Sequence, residues 1–177
     1  MSTSVLLLPG IGNSGPQHWQ TYWEQANPSF ERVQQRDWDN PNCEEWGAAL
    51  EAAVKRKGSD DVIIVAHSLA CLVVAHWAAR PHTLIKAAML VAVPDPAGPN
   101  FPREASGFSI TPKVKFAFPS MVVASTDDPY STLEHTSRFA SAWGSELVNV
   151  GNCGHINASS GLGAWNKGYE LLGKLRG

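Results

Sequence analysis
Two textures alternate along the chain: short runs of β-branched and leucine residues, and longer segments whose apolar positions recur at spacings of three and four. Val5 to Leu8 reads as a buried strand that breaks into the glycine-rich loop Pro9 to Pro16. Trp19, Tyr22, Trp23 and Ala26 then share one face and predict a helix from about Pro16 to Ala26, an aromatic stripe that reads as core rather than as a cofactor platform. Phe30 to Gln34 alternates weakly and predicts a second strand. Asn42 with Glu45 has the pattern of a capping box, and Trp46, Leu50, Ala53 and Val54 continue a helix to about Lys57, where Gly58 stops it.

The next run, Val62 to Val65, reads as a strand buried on both faces, and the apolar stretch Leu69 to Ala79 behind it is too long for a strand. Arg80-Pro81 ends that helix, and Ile85 to Val93 is the next buried strand. From Pro94 to Pro119 the texture changes, with Pro96, Pro99, Pro102 and Pro112 between and no sustained periodicity. Such a segment in a compact domain reads as a functional loop, here a short cover near a site. Met121 to Ser125 is another strand, Thr132 to Trp143 a helix and Leu147 to Val150 a last strand. Leu162, Trp165, Tyr169 and Leu172 mark a closing helix after the loop Gly151 to Gly161. Strands alternating with helices predict an α/β fold over residues 1–177, a mainly parallel sheet with helices on both faces.

Length and charge narrow the function classes. One domain of 177 residues buries roughly 70% of its unfolded surface without disulfides. A formal net charge of −2, with 17% charged residues, supplies no basic face for nucleic acid. Cys43, Cys71 and Cys153 are odd in number and widely spaced, which suggests neither a disulfide framework nor a zinc site and fits a reducing, cytoplasmic setting. Met1 to Ser4 lacks basic residues, and the run behind it is too short for a signal peptide or a membrane span, so a soluble, unprocessed chain is expected.

In parallel α/β sheets ligands lie beyond the carboxyl ends of the strands. Those ends here carry Pro9 to Gly15, Ser68, Asp127 with Asp128, and the loop holding His155. Ser68 sits between strand and helix, flanked two residues away by Ala66 and Ala70, a degenerate form of the nucleophile elbow whose usual neighbours are glycines. The competing reading is that Ser68 merely caps the helix. A hydroxyl nucleophile needs a base, a carboxylate to orient that base, and preset donors for the oxyanion. The order Ser, Asp, His is that of the α/β-hydrolases. His155, after Gly154 and between the last strand and last helix, is the expected base. The backbone N–H groups of Leu69 and Ile11 are the expected oxyanion donors. His67 should point away from the nucleophile as a hydrogen-bonded core residue, His76 reads as structural, and His82 and His135 as surface. His18 either lines the pocket or caps the first helix. Residue types leave Asp127 and Asp128 open for the acid.

Ala66 to Ala70, Ser125 to Tyr130 and Gly154-His155, together with Leu8 to Gly10 and His18-Trp19, resemble the small serine-hydrolase family of the α/β-hydrolase superfamily that includes retinoblastoma-binding protein nine. The resemblance runs from about residue 5 to 175, and Asp127 to Tyr130 and the His-Trp pair are its more specific parts. It implies an α/β-hydrolase fold without a separate cap domain, Ser68 as nucleophile, His155 as base and the second carboxylate, Asp128, as acid. Ala66 and Ala70 stand where relatives commonly carry glycine.

The expectation is a serine hydrolase that cleaves a carboxylic ester, or an amide, of a small acyl substrate through an acyl-enzyme on Ser68. Gly12, His18 and Trp19 are pocket candidates, and Trp38 with the 94–118 loop would shape an apolar acyl pocket. No metal or organic cofactor is implied. The alternative is a protein-binding module on the same scaffold, with the Pro-rich loop as its recognition segment. A nucleotide-binding reading rests on Pro9 to Gly15 alone, and the Lys-Ser/Thr pair of a phosphate loop is absent.

Overall fold
In a computed structural model, which describes residues 3–81 and 84–177, the strands form one parallel sheet in the order β2-β1-β3-β4-β5-β6. They are β1 (Ser4–Leu8), β2 (Phe30–Arg32), β3 (Val62–His67), β4 (Ala87–Val91), β5 (Ser120–Ala124) and β6 (Glu146–Asn149). The helices are α1 (Trp19–Ala26), α2 (Cys43–Lys57), α3 (Leu69–Ala78), α4 (Leu133–Trp143) and α5 (Asn166–Arg176). This is the α/β-hydrolase arrangement, with no separate cap domain. Among the described residues no helix is long and apolar enough to cross a membrane.

Side chains alternate across a strand, so each buried strand feeds two cores. Leu6, Leu8, Ile64, Leu90 and Val122 pack under α2, α3 and α4 through Trp46, Leu50, Leu72 and Trp143. Val5, Leu7, Ile63, Val65 and Met89 face α1 and α5 through Trp19, Trp23, Leu171 and Leu172. The chain winds to one side of the sheet from β1 to β2 and to the other from β3 onward. The reversal lies between β1 and β3, which makes their carboxyl ends the crevice where such sheets bind ligands.

Local departures from the sequence reading have identifiable causes. α1 begins at Trp19 rather than near Pro16, because the His18 ring caps it: Nδ1 accepts from the Gln20 N–H at 3.1 Å. Only half of the expected capping box opens α2, since Asn42 accepts from Glu45 N–H while the Glu45 carboxylate pairs with Arg36. β4 stops at Val91 because Ala92 turns to φ 58°. Leu162 precedes the closing helix, which starts only after Trp165 at φ 43°.

The segment 94–119 contains no helix or strand, yet most of it does not cover the site. Phe108, Phe116 and Phe118 are buried in the core under α2, α3 and α4. Ser106 exchanges backbone hydrogen bonds with Pro41 and Cys43, and the Trp143 indole donates to Pro112 O. Its apolar residues therefore make it a strap over one helical layer, and only its first part reaches the crevice.

α5 is seated by aromatic contact. Trp165 lies nearly parallel to Trp23, and Tyr169 meets Trp23 edge-on. Gly168 lies directly beneath the Trp165 ring, where a Cβ would overlap the indole carbons. Gly168→Ala is expected to lower stability by about 1 to 3 kcal/mol through overpacking, read as a reduced urea midpoint at unchanged m-value.

Candidate active site
At the carboxyl end of β3 the chain reverses into α3 through Ser68, whose φ of 56° and ψ of −125° lie outside the regions that side chains ordinarily adopt. Its N–H donates to Val91 O, and its hydroxyl makes no capping bond to the helix. Instead Ser68 Oγ lies 2.7 Å from His155 Nε2. His155 Nδ1 faces both oxygens of Asp128, at 2.9 and 3.0 Å. Carboxylate oxygens accept, so Nδ1 carries the ring proton. Nε2 of the neutral ring is then the acceptor for the Ser68 hydroxyl. Both the His155 and Asp128 side chains are largely buried. Ala66 and Ala70, the departures from glycine, are buried in the helical core and leave this turn intact.

The two adjacent carboxylates do different things. Asp127, on the surface, accepts from Ser125 Oγ and Gly154 N–H, each at 2.8 Å, and these bonds hold its carboxyl below the usual range. Asp128 accepts from Tyr130 N–H and faces the imidazole. The His155 loop is further tied by Cys153 N–H to Ser125 Oγ, His67 Nε2 to His155 O, and the Trp19 indole to Ile156 O.

The first loop closes onto the elbow. A Cβ on Gly10 would lie 3.1 Å from His67 O and from Ser68 Cβ, and 3.5 Å from Leu69 N, so a side chain here would hold the loop away. Among the described residues no acceptor takes the Ile11 or Leu69 N–H. Gly10, Gly12 and Gly15 have Gly-x-Gly-x-x-Gly spacing. The helix that would have to open on the glycines begins only at Trp19, so the loop does not present a helix N-terminus to a pyrophosphate.

Ser68, Leu69, Gly10, Ile11, His18 and His155 border a cavity of about 310 Å³. Pro94, Asn100, Pro102, Asn13, Tyr130 and Asn157 also line it, so polar side chains share the wall with apolar ones. Tyr130, marked in the sequence only as part of the Asp127 to Tyr130 segment, places its ring 4.3 Å from that of His155, while the asparagines carry no expectation from the sequence. For Tyr130 and Asn157, the places two residues after Asp128 and His155 are the available signal. Three pocket expectations are corrected. Trp19 is buried in the core behind the His155 loop, where its indole is committed to Ile156 O. Gly12 is turned out at φ 76° with its N–H donated to Trp38 O, and Trp38 packs on Trp46 instead of on the cavity.

The histidines divide as follows. His18 both caps α1 and borders the cavity, so the two roles are not exclusive. His67 is hydrogen-bonded and buried yet also reaches the cavity wall. His76 stands edge-on to Phe108. His135 is not a free surface residue, because it is partly buried with Nδ1 3.4 Å from Asp95. His82 lies outside the described residues. Cys43, Cys71 and Cys153 are free thiols, and burial pushes Cys43 up to about 11. Among the described residues no group of three or more His, Cys, Asp or Glu is placed to hold a metal ion.

Burial, with Arg32 and His155 nearby, holds His18 down to about 4, and burial holds His67 well below its ordinary value. A histidine with a depressed folded pKa contributes stability above its unfolded value, near 6.5, that is lost as pH falls through the folded value. The urea midpoint is therefore expected to fall between about pH 6.5 and 4. His18→Asn, which keeps a capping oxygen, should flatten that slope without abolishing it, because His67 remains.

The serine hydrolase family model matches residues 5–174. No curated protein sequence matches the chain. Among solved structures, a YdeN-like hydrolase from Pectobacterium atrosepticum is 30% identical, with a TM-score of 0.87 over 99% of this chain and 91% of the other. The ydeN gene product of B. subtilis is 17% identical with a TM-score of 0.80, covering 98% of both chains. An esterase from Thermogutta terrifontis, at 14% identity and a TM-score of 0.70 over 100% and 92%, shares the fold. The chain belongs to the serine hydrolase family and is a hydrolase of the α/β type.

Proposed function
We propose that this hydrolase cleaves carboxylic esters of small substrates through an acyl-enzyme on Ser68. The observation that carries the reading is the continuous contact from Ser68 Oγ through His155 to Asp128 at the wall of a cavity. His155 Nε2 takes the hydroxyl proton as Oγ attacks the carbonyl carbon. The oxyanion is met by the N–H groups of Leu69 and Ile11, and each such donor contributes about 3 to 4 kcal/mol to the barrier reduction. Collapse expels the alcohol, which leaves with the proton from His155. Water, deprotonated by the same nitrogen, then attacks the acyl carbon, and Ser68 regains its proton as the acid departs. Asp128 keeps Nδ1 protonated and stabilises the imidazolium formed in each half. An amide would follow the same course with a poorer leaving group.

The protein-binding alternative rested on the Pro-rich segment. That segment turns three phenylalanines into the core and leaves Ile110 and Val114 exposed.

A fluorophosphonate is expected to label the wild type at Ser68, and Ser68→Ala should lose both labelling and turnover of p-nitrophenyl butyrate. Asp128→Asn should lower kcat by about 10³ to 10⁴-fold, whereas Asp127→Asn, which touches only the loop, should cost less than about tenfold. Equal losses at the two aspartates would overturn the assignment of Asp128, and a folded wild type that resists the label would overturn the acyl-enzyme.

A further inference from the structure
The His155 imidazole is gripped at both nitrogens, by Asp128 at Nδ1 and by Ser68 Oγ at Nε2. In the cycle proposed above only the first of these bonds lasts throughout. Once Ser68 Oγ carries the acyl group it has no proton to donate, and Nε2 must wait for water with one anchor gone. The ring also changes charge twice, because an imidazolium forms in each half of the cycle. A contact between rings depends on neither event, and Tyr130 supplies one. Its ring centroid lies 4.3 Å from that of His155, with the planes 44° apart. Aromatic pairs ordinarily stand about 4.5 to 7 Å apart, so this is a close contact.

The main chain puts Tyr130 in place. Its N–H donates to Asp128 Oδ1 at 2.9 Å, so the residue that meets the imidazole is built on the carboxylate that orients the imidazole. Its carbonyl accepts from Asp95 N–H at 2.9 Å, and the carbonyl of Pro129 before it accepts from the Asn100 amino group at 2.7 Å. None of these bonds uses the Tyr130 side chain, so a substitution there leaves all three partners available.

The surroundings favour an electrostatic role for the ring. The His155 side chain is 9% exposed and that of Asp128 4%, so a charge that forms on the imidazole is poorly screened by water. A cation within about 6 Å of an aromatic centroid is attracted to the ring, the more so when desolvated. His67, whose ring is 5.1 Å from that of His155, is kept uncharged by burial and sets no like charge against it.

We propose that Tyr130 is a positioning residue for acyl transfer, its ring holding the His155 imidazole in line while Ser68 is acylated and stabilising the imidazolium of both half-reactions. This inference rests on the acyl-enzyme reading. Tyr130 neither gives nor takes a proton.

Hydrolysis of p-nitrophenyl acetate, whose acyl group is small, tests it. Tyr130→Leu is expected to lower kcat and kcat/KM together by about 5- to 30-fold, the pattern of an interaction realised in the transition state. Tyr130→Phe keeps the ring and should recover most of that loss. Replacing Tyr130 by 4-fluoro-, 3,5-difluoro- and 3,4,5-trifluorophenylalanine through nonsense suppression changes size little while draining the face of the ring, and kcat/KM should fall stepwise along the set. A flat response to fluorination overturns the proposal, as does a Tyr130→Leu protein within twofold of wild type or a Tyr130→Phe protein no better than Tyr130→Leu. A loss confined to KM also overturns it, since that marks a cavity wall and nothing more. Should Tyr130→Leu fail to fold, the fluorinated set still decides, because its members match phenylalanine in shape. In each of these outcomes the wild type keeps Ser68-dependent turnover and the acyl-enzyme stands; a wild type without it overturns both readings.

Discussion

A serine held at φ 56° is the constraint around which the rest of the molecule is arranged. Backbone in that region costs of order 1 to 3 kcal/mol and persists only where its surroundings over-determine it. Here they do. β3 is buried along its whole length between β1 and β4, and α3 is buried along nearly all of its own. The Ser68 N–H is fastened to Val91 O, and Ser68 O receives the N–H of Cys71. The turn cannot relax without withdrawing apolar side chains from both cores. Gly10 then closes the first loop against it. The consequence is a hydroxyl lifted out of the helix it would otherwise cap, and free to meet an imidazole.

That imidazole has to be positioned by a loop with no ladder to hold it. Its backbone groups are satisfied one at a time, by Ser125, Asp127, His67 and Trp19, which come from two different strand ends and a helix. Each bond contributes only about 0.5 to 1.5 kcal/mol net, but they converge from opposite sides of a four-residue stretch, and together they leave the ring little freedom. The adjacent pair Asp127 and Asp128 makes sense in this light. One carboxylate anchors the loop and the other faces the ring, and neither can do both because successive side chains point different ways.

The elements were legible because their hydrophobic period is strong. β3 and α3 are nearly uniform in apolar character, and α4 and α2 carry clear stripes with good caps. Ser68, His155 and the choice between two aspartates were narrowed by strand ends and chain order, and the geometry then separates Asp127 from Asp128. What was not legible has one physical cause. Loop residues carry no periodicity, so a side chain's direction there depends on hydrogen bonds made far away in the chain. Trp19 illustrates it: an aromatic beside the first loop looks like a pocket wall, but its indole is drawn to Ile156 O, 137 residues on. The Pro-rich segment illustrates the converse, since prolines hide the fact that Phe108, Phe116 and Phe118 are core. Gln20, read as nothing in particular, is fully buried and donates to Leu8 O and Val65 O, stitching α1 to the ends of β1 and β3.

His18 connects these themes. Its two ring nitrogens are chemically tied, because a neutral imidazole that accepts at one must donate at the other. Capping α1 therefore decides the tautomer of the ring. Burial, with Arg32 and His155 nearby, keeps the ring from gaining a second proton. A helix start, a core position and a cavity wall are thus coupled through one side chain. At Asn13 and Asn157 local turns likewise engage the side-chain oxygen. Backbone hydrogen bonding, satisfied first, decides which side-chain atoms around the cavity are already engaged.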